Sequence, residues 1–223
     1  MKGMERAIDR IEQALGNGEN ILVFGDYDVD GTTSVALVYS FFKDFGQVDF
    51  YIPDRYTEGY GVSFAGIDYA KTNNISLIIT LDCGIRAIDK VAYANELDID
   101  MIICDHHIPG KVLPEAYAIL DPKQADCNYP YKELCGCGVG FKLLQAFCEK
   151  NNESIDKLTA KMDLVAIAIA ADIVPITGEN RILATYGVQK INQQPSNGIK
   201  ALLEYTKMDR EMTISDVVFT IAP

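Results

Sequence analysis

Residues 21–31 read ILVFGDYDVDG: four apolar residues, Ile21 to Phe24, then carboxylates at Asp26, Asp28 and Asp30 on alternate positions. A short continuous apolar run bounded by glycine and acidic residues reads as a buried strand that ends in a loop. Like charges so close beside a core repel one another, so the segment calls for a cation. The same pattern returns twice. LIITLDCG puts Asp82 after an apolar run, and MIICDHH puts Asp105, His106 and His107 after another.

The pattern extends through the first half of the chain. A helical spacing over 4–15 ends at Gly16. Strand-like runs then cover 21–24, 48–52, 77–81, 101–104 and 117–120, with helix-like stretches over 32–45, 63–71 and 86–97. Continuous apolar strands alternating with helices predict an α/β fold, a Rossmann-like parallel sheet of about five strands flanked by helices. After Asp121-Pro122 the pattern changes. Residues 127–140 read as a glycine-containing loop, and a mostly helical half follows, with helices expected over 139–150, 155–171, 180–193 and 198–206. The expectation is one domain over 1–223, parallel α/β over about 1–125 and helical over about 126–223. The closing VVFTIAP reads as an unfinished strand, so the chain is expected to be cut from a longer protein.

The 223 residues are 48 % hydrophobic and 23 % charged, ordinary for a globular chain. No apolar stretch reaches membrane-span length, and MKGMERAIDR is not a signal peptide. Six cysteines in a chain this long do not form a disulfide framework, and Cys135-Gly136-Cys137 lacks the second pair a structural zinc site needs. A cytoplasmic location with reduced thiols is expected. The net charge of −12 argues against a broad nucleic-acid-binding face, although the acidic cluster supplies part of it.

In open parallel sheets, ligands bind beyond the carboxyl ends of the strands. Neighbouring strands lie about 4.8 Å apart, so carboxylates after successive strands can meet. Aspartates with histidine and no cysteine suit Mn²⁺ or Mg²⁺. Bridging carboxylates would hold two ions roughly 3.5–4 Å apart, as in two-metal phosphoester hydrolysis. The competing reading makes these aspartates helix N-caps. An EF-hand reading of DYDVDG fails, because its twelfth position would be Leu37 and a strand precedes it. Asp163 reads as the N-cap of a helix that is apolar on all sides. Asp172 lies near that helix's end, where the macrodipole disfavours an anion. A buried carboxylate there needs a metal or a basic side chain. Gly136, Gly138 and Gly140 precede a helical segment and could offer amides to a phosphate, or simply form a tight turn. Arg55 could clamp a phosphate or be a solvated surface arginine.

In order, VFGDYDVDGTTS, IPDRYTEGYG, ITLDCGI, CDHHIPG, CGVGFKL and DLVAIAIAADIVP resemble the DHH phosphoesterase family, and within it the RecJ-type single-strand-specific exonucleases. The resemblance covers nearly the whole chain. It implies metal ligands at Asp28, Asp30, Asp82, His106 and Asp172. Asp26 is added because the ligand position of several relatives falls nearby, at Phe24. His107 would contact the scissile phosphate or assist the leaving group, and Asp105 would orient the imidazoles. Arg55, Gly136, Gly138 and Gly140 would hold substrate phosphates. The implied activity is Mn²⁺- or Mg²⁺-dependent release of 5′-mononucleotides from a single-stranded 5′ end, in recombination and repair. Single-strand-binding protein and a helicase are the implied protein partners, and no membrane is involved. The family's other domains would carry the strand-gripping surface, so this stretch alone is expected to bind metal but cleave weakly. Two alternatives stay open: a small-substrate enzyme of the family acting on oligoribonucleotides, cyclic dinucleotides or pyrophosphate, and a non-catalytic binding module.

Overall fold

The computed structural model describes residues 1–206 and 210–221. Its strands are β1 (Asn20–Gly25), β2 (Val48–Tyr51), β3 (Ile75–Leu81), β4 (Asp100–Cys104) and β5 (Ala118–Leu120). They form one sheet in the order β2-β1-β3-β4-β5. Every pairing is parallel. This is the α/β architecture the apolar runs predicted. The chain leaves β1 towards β2 on one side and returns to place β3 on the other. The crevice between the ends of β1 and β3 is therefore the topological switch point, where ligands of such sheets bind.

Side-chain alternation sorts the strand residues onto two faces. Ile21 and Val23 of β1, Leu77, Ile79 and Leu81 of β3, and Ile102 and Cys104 of β4 belong to one core. They pack with helices α1 (Met4–Asn17), α2 (Val29–Phe42) and α5 (Gly136–Asn151). Leu22, Phe24, Ile78, Met101 and Ile103 face the other way, against α3 (Phe64–Thr72) and α4 (Ile88–Glu96). Phe24 is 1 % exposed and stacks on Tyr51 with centroids 5.4 Å apart, so that position is core.

At the opposite end from the site, buried Arg10 of α1 donates from Nε to Asp100 Oδ2 (2.6 Å) and from Nη2 to Glu19 Oε2 (2.7 Å). These charge-assisted bonds tie α1 beneath the starting ends of β1 and β4.

Two helices beside the site start upstream of the sequence reading. Helix α2 begins at Val29 rather than residue 32, because Asp28 caps it, its carboxylate accepting from the Gly31 amide. Helix α5 begins at Gly136 rather than residue 139, capped by the Cys135 thiol, so these glycines are helical and not a loop. The helix expected over 155–171 is two elements, α6 (Asp156–Thr159) and α7 (Met162–Ala171). Asp163 does not cap α7. Lys161 holds the cap position, and buried Asp163 sits in the first turn, accepting from the Ser196 amide at 2.6 Å. That bond anchors the connection between α8 (Gly178–Gln193) and α9 (Asn197–Thr206).

The closing segment is not a strand. Val217–Ile221 forms a π-helical turn, and residues 222–223 lie outside the described residues. Helix α7 is buried from Met162 to Ala170 and packs between α2 and α8, which joins the helical half to the sheet layer. No helix among the described residues is long and apolar enough to cross a membrane.

Candidate metal centre

Four elements converge at the switch point. Asp30 lies in the first turn of α2, Asp82 directly after β3, His106 two residues past β4, and Asp172 at the C-cap of α7. His106 Nε2 is 3.1 Å from Asp82 Oδ1, 3.6 Å from Asp172 Oδ2 and 3.9 Å from Asp30 Oδ2. Ligand-type atoms of Asp30, His106 and Asp172 fall within 4.8 Å of one another, as do those of Asp82, His106 and His107.

The centre of this arrangement lacks internal compensation. Asp82 Oδ1 and His106 Nε2 are both buried without a hydrogen-bond partner. Burial holds the His106 imidazole down at about 4, so near neutrality it offers a lone pair and not a charge. The Asp82 oxygen and the His106 nitrogen face each other at 3.1 Å with no cation among the described side chains between them, so without a metal only a retained proton can join them. Buried groups of this kind are expected to be paired. These donors fit a hard divalent ion such as Mn²⁺ or Mg²⁺.

Asp82 adopts φ +59°, a left-handed conformation that aspartate tolerates better than most residues. Just beyond Asp172, Ile173 has φ +54° and is 81 % exposed. A β-branched residue there is a strained outlier, and such strain clusters at functional sites.

Asp30 is held from a distance in sequence. The Gly136 amide donates to its Oδ2 (2.6 Å) and the Cys137 amide to its Oδ1 (2.7 Å). The N-terminus of α5, with its partial positive charge, therefore receives a carboxylate of the protein itself. This corrects the expectation for Gly136, Gly138 and Gly140. The Gly138 amide turns to Cys135 Sγ, and Gly140 lies a turn inside the helix against Val38 and Leu81. The Gly136 amide is taken by the site's own anion and the Gly138 amide by the cap, so neither is left for a substrate phosphate.

Asp28 carries both readings at once. Oδ1 caps α2, while Oδ2 accepts from Tyr60 Oη at 2.6 Å. Asp26 is fully buried, Oδ1 accepting from the Tyr27 amide and Oδ2 without a partner. Neither falls in the groups whose ligand atoms meet. Asp172 departs from the expectation of burial, with a side chain 30 % exposed at the rim. Arg55 is exposed and lies 4.6 Å over the Tyr27 ring, which packs edge-on against Tyr60. That contact seats Arg55 on the ring of Tyr27, the residue before Asp28.

Asp105 does not enter the ligand cluster. Its Oδ2 accepts from the Ile85 amide, and its Oδ1 accepts from the His106 amide. Oδ1 also lies 2.7 Å from His107 Nδ1, leaving Nε2 of that ring available. It therefore orients the ring of His107, whereas it reaches His106 only through the backbone.

Two residues escaped the sequence reading. Tyr60 sits within IPDRYTEGYG and holds Asp28. Asp121 follows β5 as the other aspartates follow their strands, the same signal in AILDP. Burial pushes Asp121 up to about 7, and its Oδ2 has no partner.

Burial raises the Asp26 carboxyl to about 6, and burial with neighbouring carboxylates raises Asp30 and Asp82. The hydrogen bond that His107 donates to Asp105 raises the imidazole. Groups raised above their unfolded values favour the folded state when protonated, so that stability is lost as pH rises. His106 and Asp105, with lowered pKa values, oppose this, and their contributions are complete above about pH 6.5. In EDTA, the melting temperature is expected to fall between pH 6.5 and 8, and Mn²⁺ to restore more stability at pH 8 than at 6.5. Thermal melts across that range check this; a profile that is flat or rising in EDTA contradicts it.

The family model described as DHH family, N-terminal domain, matches residues 20–169. The single-stranded-DNA-specific exonuclease RecJ of Bacillus subtilis (strain 168) is 45 % identical over 225 residues, covering 100 % of this chain and 28 % of that protein. The enzyme of the same name from Escherichia coli (strain K12) is 38 % identical over 236 residues, covering 100 % of this chain and 41 % of that protein. A crystal structure of exonuclease RecJ bound to manganese superposes with a TM-score of 0.89 at 32 % identity, covering 100 % of this chain and 56 % of that one. The chain thus spans well under half the length of these two curated relatives. With the fold, the switch-point site and the family model in agreement over most of its residues, the chain belongs to the DHH family.

Proposed function

We propose that this chain carries the metal-dependent phosphodiesterase centre of a single-stranded-DNA-specific 5′→3′ exonuclease that releases 5′-mononucleotides in recombination and repair. The observation that carries the reading is the pair of unsatisfied buried atoms, Asp82 Oδ1 and His106 Nε2, ringed by Asp30 and Asp172. Manganese and single-strand DNA in the names of the relatives support it. Asp30, Asp82, His106 and Asp172 would hold Mn²⁺ or Mg²⁺, with Asp28 and Asp26 completing a two-ion site. When bound, such ions lower the pKa of a water molecule and offset charge developing on phosphate.

The remaining groups act through their own geometry. Asp105 fixes the His107 ring at Nδ1 and favours its protonated form, so Nε2–H can donate to a phosphate oxygen or pass its proton to the leaving alkoxide. His107's side chain is 44 % exposed, as a group that meets substrate must be. Arg55 offers a guanidinium beside Tyr27 for a neighbouring phosphate. Single-stranded DNA is the proposed partner, with single-strand-binding protein and a helicase as accessory partners. The six cysteines are free and buried, in keeping with a cytoplasmic setting.

The net charge of −12 favours a second reading, a family enzyme for dinucleotides or pyrophosphate. Product analysis separates the two. The Mn²⁺-loaded protein is expected to release mononucleotides from a 5′-phosphorylated single strand, to spare a blunt duplex, and to stop in EDTA. Faster turnover of a dinucleotide or pyrophosphate than of the strand would replace the first reading by the second.

A further inference from the structure

Beside His107 the site opens into a cavity of about 500 Å³. Asp82 and His107 belong both to its lining and to the metal centre, so the two spaces are continuous. Away from that shared end Tyr60, Ile85 and Ile108 give it apolar walls, Arg86 brings a guanidinium, and Asp89 and Lys90, paired with each other, lie along its lining.

We infer that this cavity receives the nucleobase attached to the phosphate held at the metal centre, and thereby selects an unpaired base. The inference rests on the phosphodiesterase reading and deepens it. The volume lies within the range of about 300–1,000 Å³ typical of small-ligand pockets. It suits one nucleoside. A base still paired carries its partner and backbone with it, and would first have to leave its stack.

The walls suit an aromatic base. Tyr60 is pinned at its hydroxyl by Asp28 and along its ring by Tyr27, yet is 56 % exposed. A rigid, half-open ring loses little freedom when a base stacks on it. Ile108 is 68 % exposed, an apolar edge that a base would cover. Arg86 donates from Nε to the Ile108 carbonyl at 2.8 Å, which ties the segment ahead of α4 to the loop after Asp105-His106-His107. That bond fixes the cavity's shape and keeps a planar cation in its lining, able to donate to a base edge. The open face of the Tyr60 ring and the exposed edge of Ile108 are not needed to bind metal or to hold a bare phosphate.

Calorimetry on the Mn²⁺-loaded protein tests this with thymidine 5′-monophosphate and 2-deoxyribose 5-phosphate, which differ only in the base. The nucleotide is expected to bind about tenfold more tightly, the lower end of what one stacked base contributes. Ala87→Phe, which puts a ring into the cavity, is expected to erase that preference without changing affinity for 2-deoxyribose 5-phosphate or Mn²⁺. Ile108→Ser, at a position too exposed to matter for folding, is expected to reduce the preference about threefold. Equal affinity of the wild-type protein for the two ligands overturns the inference, as does a preference that survives both substitutions. If the wild-type protein binds Mn²⁺ but neither ligand, the phosphodiesterase reading itself falls, a distinct result.

Discussion

Asp82→Asn is expected to lower metal-dependent hydrolysis by about 10³-fold, the scale on which loss of one charge-stabilising group at a reaction centre is felt. The same substitution is expected to raise the melting temperature of the metal-free protein. Asp82 is 2 % exposed and sits among Asp28, Asp30, Asp105 and Asp172, which together with burial push its carboxyl strongly up. Without a cation it must keep a proton that the unfolded chain would release above about pH 4. The cost rises by at most about 1.4 kcal/mol per pH unit. An amide of the same shape removes that cost, and asparagine tolerates the φ of +59° at this position. A gain of a few degrees is expected, at roughly 2–4 °C per kcal/mol for a chain of this size. The gap between variant and wild type should widen from pH 6.5 to 8. Added Mn²⁺ should reverse the order, because only the wild type gains from the ion. Paired melts with EDTA and with Mn²⁺, alongside product release from a single strand, check both halves. A variant that melts below wild type in EDTA would show that Asp82 holds the fold together without metal. The metal-centre reading does not allow that.

This opposition between fold and site explains which parts of the molecule were legible in the chain. The sheet was readable because buried parallel strands leave continuous apolar runs, and 21–24, 77–81 and 101–104 each recur as the body of a strand. The clustered positions were readable in part: Asp82 follows such a run and meets His106, whereas Asp26 and Asp105 follow runs and stay outside the cluster. Helix starts were less legible. Asp28 and Cys135 cap α2 and α5, which moves both helices upstream into stretches whose glycines and acids read as loop. Asp28 shows why a choice between cap and ligand was too narrow, since one carboxylate has two oxygens and here they point to different partners. What could not be read was contact across long separations. Nothing in residues 136–137 announces that their amides are reserved for Asp30, more than a hundred positions away. Tyr60 was passed over because a hydroxyl that holds a carboxylate leaves no pattern in sequence.

That hidden contact makes Gly136→Ala a damaging small substitution, expected to act on the metal centre from outside its carboxylates. A Cβ added at Gly136 would lie 2.5 Å from Asp82 Cβ, 2.6 Å from Asp82 Oδ1 and 2.8 Å from Asp82 Cα. Two of those atoms belong to the stem of a residue already in a left-handed conformation, so the relief cannot come from a side-chain tip. Either α5 retreats, withdrawing two amides from Asp30, or Asp82 moves away from His106. Overpacking of this kind costs about 1–3 kcal/mol, roughly 2–12 °C in melting temperature. Displacing groups that support metal ligands typically weakens binding by about 10–100-fold, and Mn²⁺ affinity should fall on that scale. Gly16→Ala is the matching control. That glycine lies inside α1 with nothing within 4 Å of an added Cβ, so alanine there should stabilise the protein by about 0.5–1 kcal/mol. Melts and Mn²⁺ titrations of the two variants therefore have expected shifts of opposite sign in stability, with lost affinity confined to Gly136→Ala. Wild-type Mn²⁺ affinity in Gly136→Ala would mean that Asp30 and Asp82 do not depend on the approach of α5, and the metal centre would lose its link to the helical half.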